Sequence, residues 1–170
     1  DEEGGAAGAH AALRREVEAI LDAIPSSVRV FDLTGTLTRL NGAARAEHAD
    51  ARRPTTLAEL WASDAPLRAA PGGATPAERD VRVLFDDHPA VRALQGETIR
   101  SETYVVRRAR EDGEHRVIES YARPVRDAEG RVIGAVLVDR DATEKARLAR
   151  ALEAQVRRTM ELNERVLTEA

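Results

Sequence analysis

The segment Val132-Ile133-Gly134-Ala135-Val136-Leu137-Val138 constrains the fold more than any other part of the chain. Successive side chains of a strand point to opposite faces, so this run is apolar on both. A strand of that kind is covered on both sides. One cover is expected from the helical middle of the chain. The other must come from the N-terminal helix, a partner chain, or both.

The neighbouring residues supply the rest of a sheet. Val28 and Val30 alternate with polar residues and predict a strand, Asp32-Leu33-Thr34-Gly35 a turn, and Thr36–Leu40 its antiparallel partner. Ile99–Arg108 and Arg116–Val125 flank Asp112-Gly113, a two-residue hairpin signal. Asp127–Gly130 is the turn into the doubly apolar strand. Between the two hairpins, residues 42–97 read as short helices and loops. Thr56-x-x-Glu59 is a capping box. Ala69–Gly73 reads as a loop and Thr75-Pro76-x-Glu78 as a helix start. Asp87 is expected to cap a helix carrying Val91 and Leu94 and closed by Gly96.

Helices flank this core. Leu13, Val17, Ile20, Leu21 and Ile24 form one face at helical spacing, ended by Pro25. Residues 1–8 are acidic and Gly/Ala-rich and are expected to be a disordered tail. Residues 141–170 hold neither Gly nor Pro and read as one helix, about 45 Å long. The divisions are a tail over 1–8, an amphipathic helix over 9–24, a core over 25–141 and a trailing helix over 142–170. The chain opens at Asp1 without Met, as a piece of a longer protein would.

Composition removes several functions. A net charge of −4 without a basic block argues against nucleic-acid binding. No segment is apolar for the ~18 residues of a membrane span. The absence of cysteine removes disulfides, thiolate metal sites and thiol nucleophiles and fits a cytoplasmic setting. There is no G-x-S-x-G and no phosphate-binding loop, and the acid pairs are sequence neighbours of the solvated kind, so the chain does not read as an enzyme.

The order helix, two strands, short helices, three strands, long helix resembles the PAS family of sensory domains. Ile20-Leu21-Asp22-Ala23-Ile24-Pro25, then Val28, Val30, Asp32, Gly35, Leu40, Asn41, Ala43 and Ala44, are similar to its opening hairpin and first helix. Pro124-Val125-Arg126-Asp127, Gly130, Val132-Ile133-Gly134 and Asp141-Ala142-Thr143-Glu144 are similar to its closing strands and exit motif. The resemblance covers about residues 20–145, with long middle helices and a small Ala142 as departures. It implies an α+β fold with a five-stranded antiparallel sheet in the order 2-1-5-4-3. Short helices would cover one face; the N-terminal helix and a dimer partner would take the other.

The resemblance also implies a sensory and dimerisation module in a bacterial multidomain or two-component signalling protein. Its signal would pass through the trailing helix to an effector domain of the same polypeptide, such as a histidine kinase. The alternatives are a haem- or flavin-holding sensor and a ligand-free dimerisation scaffold. Asp141 and Thr143 would form the signal junction, with Asp141 satisfying the first N–H groups of the helix. Asn41 is expected to be a structural cap. Trp61, Phe85, Tyr104, Tyr121 and His88 are the large side chains expected near a ligand pocket, with simple core packing as the competing reading. Pro89 directly after His88 suggests an exposed first-turn histidine and argues against a haem ligand. His10 precedes the amphipathic face, His48 reads as a polar-loop or helix-end residue and His115 lies beside a hairpin turn, and no histidine pair has metal-ligand spacing. Flavin adduct chemistry is excluded by the lack of Cys, and no cofactor is expected.

The trailing helix accepts two heptad frames. One places Ala142, Ala149, Val156 and Asn163 at a, with Lys145, Leu152, Thr159 and Val166 at d. The other runs through Leu148, Leu152, Thr159, Leu162 and Val166. A homodimeric parallel coiled coil with two competing registers is the expectation.

Overall fold

The structure, a computed structural model, describes residues 2–48, 52–69, 80–106 and 115–169. Elements run in the order α1 (Glu2–Asp22), β1 (Ser27–Asp32), β2 (Leu37–Leu40), α2 (Gly42–Ala46), α3 (Leu57–Asp64), β3 (Leu67–Ala69), β4 (Asp80–Arg82), a 3₁₀ turn (Phe85–Asp87), α4 (Pro89–Leu94), β5 (Ile99–Val106), β6 (Arg116–Arg126), β7 (Val132–Asp141) and α5 (Thr143–Glu169). Among the described residues the sheet is antiparallel and has seven strands in the order β2-β1-β7-β6-β5-β3-β4. Its first five positions have the expected 2-1-5-4-3 topology. β3 and β4 extend the β5 edge.

Local chemistry sets the turns. Gly35 takes φ 78°, and the carboxylate of Asp32 accepts the backbone N–H groups of Thr34 at 2.9 Å and Thr36 at 3.0 Å. This pattern of a short acid bonding its own turn fixes the first hairpin. Thr56 caps α3 by accepting the Glu59 N–H at 3.2 Å, and the Glu59 carboxylate accepts the Thr55 N–H at 2.7 Å.

Strand alternation divides the sheet. Phe31, Ala122, Ala135 and Leu137 point inward and pack with Leu57 and Leu60 of α3, Ala90, Val91 and Ala93 of α4, and Ile99. A second cluster joins Val83, Tyr104, Val106 and Ile118. Burying each large apolar side chain contributes about 1.5–3 kcal/mol, which makes the inner face the main source of stability. On the other face Val30, Val136 and Val138 are half-buried and Ile133 is 47% exposed. The doubly apolar strand therefore has one complete cover. α1 does not supply the second: Leu13 and Ile20 of its apolar stripe are 58% and 59% exposed.

Three expectations are corrected. The segment 42–97 contains strands as well as helices: Leu67 pairs with Val105 and also with Arg82, so Ala69 closes a strand instead of opening a loop. Three-residue strands carry too little alternation to be read locally, and pairing to β5 decides them. α1 begins at Glu2, where residues 1–8 were expected to be disordered. Once a helix is nucleated each further residue adds a bond, and Ala7, Ala9, Ala11 and Ala12 have the strongest helix propensity. The cap of α4 is His88, not Asp87, which lies in the 3₁₀ turn. The expected Asp112-Gly113 turn and the Thr75-Pro76 helix start lie outside the described residues.

Candidate functional site: an inner chamber and a helix junction

Asn41 ties the N-terminal helix to the sheet. It is fully buried, and its side-chain oxygen accepts the N–H groups of Val28 at 2.9 Å and Ala44 at 3.0 Å. Its amide donates toward the carbonyls of Leu21, Ile24 and Ser26 at 3.0, 3.1 and 2.8 Å. One side chain thus caps α2 and satisfies groups at the α1 exit that burial would otherwise leave unpaired.

The inner face carries a buried polar cluster. Arg29 of β1, with its side chain 2% exposed, lies between the carboxylates of Glu47 and of Asp139, the latter at 3.3 Å. Asp139 also accepts the Ser120 hydroxyl at 2.7 Å, and Glu47 accepts the Ser27 hydroxyl. The His48 ring nitrogen Nε2 is 3.4 Å from the Arg29 guanidinium. A buried charge is tolerated only when paired in this way. His48 lies in the turn at the end of α2, its N–H bonded to the Arg45 carbonyl at 3.2 Å, as expected of a loop or helix-end residue, and it is 8% exposed. Beside the cluster, Arg29, His48, Arg53, Phe31, Leu37 and Leu60 share the wall of a cavity of about 10 Å³, room for about one water.

The expected pocket residues do not converge there. Trp61 stacks edge-to-face on Phe85 at 5.9 Å and donates its indole N–H to the Val83 carbonyl at 2.9 Å. The Arg82 guanidinium lies over the Trp61 ring at 4.7 Å. Tyr104 is core, its hydroxyl bonded to Glu102, which also takes Arg92 at 2.6 Å. Burial and this carboxylate raise the Tyr104 phenol well above its ordinary value. Tyr121 faces outward, opposite Val138, with its hydroxyl 3.3 Å from Glu119. Parity along β6 separates it from the inward Ser120 and Ala122.

His88 is 7% exposed, which corrects the expectation of an exposed residue. Its Nδ1 accepts the Ala90 N–H at 3.2 Å, so the ring serves its own helix. Burial pushes the imidazole down to about 4; Asp64 and Glu102 oppose the shift and Arg29 adds to it. Among the described residues no group of three or more His, Asp or Glu is placed to hold a metal ion.

At the other end of β7 the sheet becomes helix. The Asp141 carboxylate accepts the Thr143 N–H at 2.9 Å and its hydroxyl at 2.6 Å. That hydroxyl accepts the Val117 N–H at 3.1 Å, and the Ala142 N–H donates to the Val117 carbonyl at 2.9 Å. Lys145 reaches Glu119 at 2.7 Å, which holds the Glu119 carboxyl below its usual range. The first turn of α5 is therefore bonded to β6, and Ala142 is 7% exposed where a larger side chain would crowd the sheet. Beyond it, Leu148, Leu152, Val156, Met160, Leu162, Val166 and Leu167 are 45–79% exposed.

An antiparallel sheet with short helices on one face and a helix leaving its last strand defines an α+β class. The PAS fold family model matches residues 21–147, and the chain belongs to that family. An RNA-binding Light-Oxygen-Voltage receptor aligns with TM-score 0.52 at 22% identity, over 86% of this chain and 38% of that one. A phage VqmA–DPO complex aligns with TM-score 0.50 at 20% identity, over 86% of this chain and 61% of that one. The PAS domain of an HTR-like protein from Haloarcula marismortui aligns with TM-score 0.47 at 15% identity, over 83% and 99%. None of the curated proteins matches at the level of sequence. PAS domains commonly serve as sensory, non-catalytic modules of signalling proteins. Among the described residues no helix is long and apolar enough to cross a membrane.

Arg29, Glu47, Asp139 and Ser120 escape a reading based on large or titratable residues in loops. Strand parity holds the missed signal: Ser27, Arg29 and Phe31 alternate on one face, and Phe31 is core.

Proposed function

We propose that the chain is a cytoplasmic sensory and dimerisation module of a bacterial multidomain signalling protein, and that it relays its signal to an effector domain of the same polypeptide through α5. The observation that carries this reading is the contrast within α5. Its first turn is bonded to the sheet through Asp141, Thr143 and Lys145, and the rest exposes an apolar stripe from Leu148 to Leu167. Most helical stability in proteins comes from packing an apolar face, and this stripe packs on nothing within the described chain. A second copy in parallel supplies that packing and can also cover the outer face of β7. The polar Asn163 and Thr159 favour two near-degenerate seams over one deep one. A signal then needs to favour one seam by only a few kcal/mol.

The module acts without haem or flavin in this reading. No thiol is available for a flavin adduct, and the His88 nitrogen Nδ1 is engaged by α4. Sedimentation of the intact chain against Leu152→Asp/Val156→Asp tests the proposal. A concentration-dependent dimer that the double variant abolishes, with secondary structure retained, supports it. A monomer at all concentrations overturns it.

A further inference from the structure

The two carboxylates on Arg29 differ in how they are held. Asp139 belongs to a central strand, and its side chain is 3% exposed. Glu47 follows the five-residue helix α2, its side chain is 16% exposed, and Ser27 and Arg29 draw its carboxylate inward. The cavity beside this pair is lined by both basic and apolar side chains. Arg29, His48 and Arg53 bring two guanidiniums and an imidazole, while Phe31, Leu37 and Leu60 bring aromatic and aliphatic surface. Guanidinium binds carboxylate bidentately, and ligand sites combine apolar walls with a few placed polar groups. The matching chemistry is a carboxylate on a short apolar tail.

We propose that this chamber is a receptor site for a short aliphatic monocarboxylate, with Glu47 as its built-in occupant. The ligand carboxylate takes the place of the Glu47 carboxylate on Arg29, and Glu47 moves into water. One carboxylate replaces another, so the buried guanidinium stays compensated throughout. The ligand tail opens the small cavity against Phe31 and Leu60. Release of Glu47 frees α2 from the Ser27–Arg29 side of β1. The other end of Arg29 is bonded to Asp139, two positions before Asp141, so the exchange is felt on the strand that leads into α5. The inference rests on the sensory reading above and names the ligand class for it.

The test uses the intact chain with hexanoate as probe, hexanamide as the neutral isostere and inorganic phosphate as the tailless anion, followed by calorimetric titration. Hexanoate is expected to bind saturably and hexanamide and phosphate not to bind. Glu47→Gln, which keeps the shape and removes the built-in charge, is expected to bind hexanoate about tenfold tighter. Arg29→Gln is expected to abolish binding, and if it does not fold, Arg53→Gln at the exposed side of the wall is expected to weaken binding severalfold. Absence of hexanoate binding in both the parent and Glu47→Gln overturns the proposal. So does hexanamide binding as well as hexanoate, or a Glu47→Gln affinity no higher than the parent's. A chain that dimerises but ignores hexanoate loses the carboxylate site alone; one that binds hexanoate as a monomer loses the relay alone.

Discussion

The Asp141 carboxylate and the Thr143 hydroxyl are 2.6 Å apart, and the same hydroxyl receives the Val117 N–H from the neighbouring strand at 3.1 Å. Two residues thus bind three elements: the end of β7, the start of α5 and the start of β6. An acid that accepts the first helix N–H, here that of Thr143, and faces the positive end of the helix dipole acts as an N-terminal cap. Because the hydroxyl is also bonded to β6, the cap fixes the direction in which α5 leaves the sheet.

Asp141→Ala is expected to lower stability by about 1 kcal/mol. The loss should be concentrated at the junction. Hydrogen exchange at Thr143–Ala146 should accelerate while the inner strands stay protected. Unchanged exchange there would remove the cap from the account.

Asn41→Ala should cost more, about 3 kcal/mol or above, because burial leaves the former partners of one side chain without water to replace it. The Leu21, Ile24 and Ser26 carbonyls and the Val28 and Ala44 N–H groups lose that partner together. Urea denaturation measures the loss. Asn41→Asp keeps one acceptor but sets a second buried oxygen against the three carbonyls, and should cost at least as much as Ala.

His88 makes stability depend on pH in a defined direction. Its folded value of about 4 lies below the ordinary 6.5, so the unfolded chain takes up the proton first as pH falls. The contribution is complete above about pH 6.5 and is lost as pH falls from there toward about 4. Between pH 7.5 and pH 5 this amounts to about 2 kcal/mol. His88→Asn keeps a capping side chain without a titrating ring. The difference between parent and variant in chemical denaturation at the two pH values should show the loss in the parent only.

Gly134 is fixed by space. A Cβ there would collide with the Phe31 carbonyl oxygen across the β1–β7 pairing. Gly134→Ala is expected to cost about 1–3 kcal/mol by forcing the strands apart. Equal thermal stability of the two proteins would show that the pairing has slack.

Much of the fold is legible in the sequence because local chemistry and global pairing agree. The Asp32–Gly35 turn, the Thr56 cap and the doubly apolar β7 each state their structure within a few residues. β3 and β4 do not, since strands of three residues owe their conformation to β5. The chamber is less legible still. Arg29, Glu47 and Asp139 are distant in sequence and ordinary in type, and only the β1–β7 register and the placement of α2 bring them together. The aromatic residues draw attention by size, yet Trp61 and Phe85 pack on each other and Tyr121 is on the outer face. The two heptad frames of α5 stay equally open in one chain, because no partner selects between them.

Disulfide cross-linking along α5 tests the central claim most directly, since the chain has no cysteine of its own. Single substitutions Leu148→Cys, Leu152→Cys, Val156→Cys, Thr159→Cys and Asn163→Cys, with Arg150→Cys, Ala154→Cys and Arg158→Cys as counterparts, are oxidised as intact chains. A parallel dimer predicts rapid bonding of each seam residue to its own copy, recurring every three to four residues, with the counterparts slow. The Asp141→Ala background should shift the balance between the two frames. Cross-linking that is absent, or equal at every position, would contradict a paired output helix.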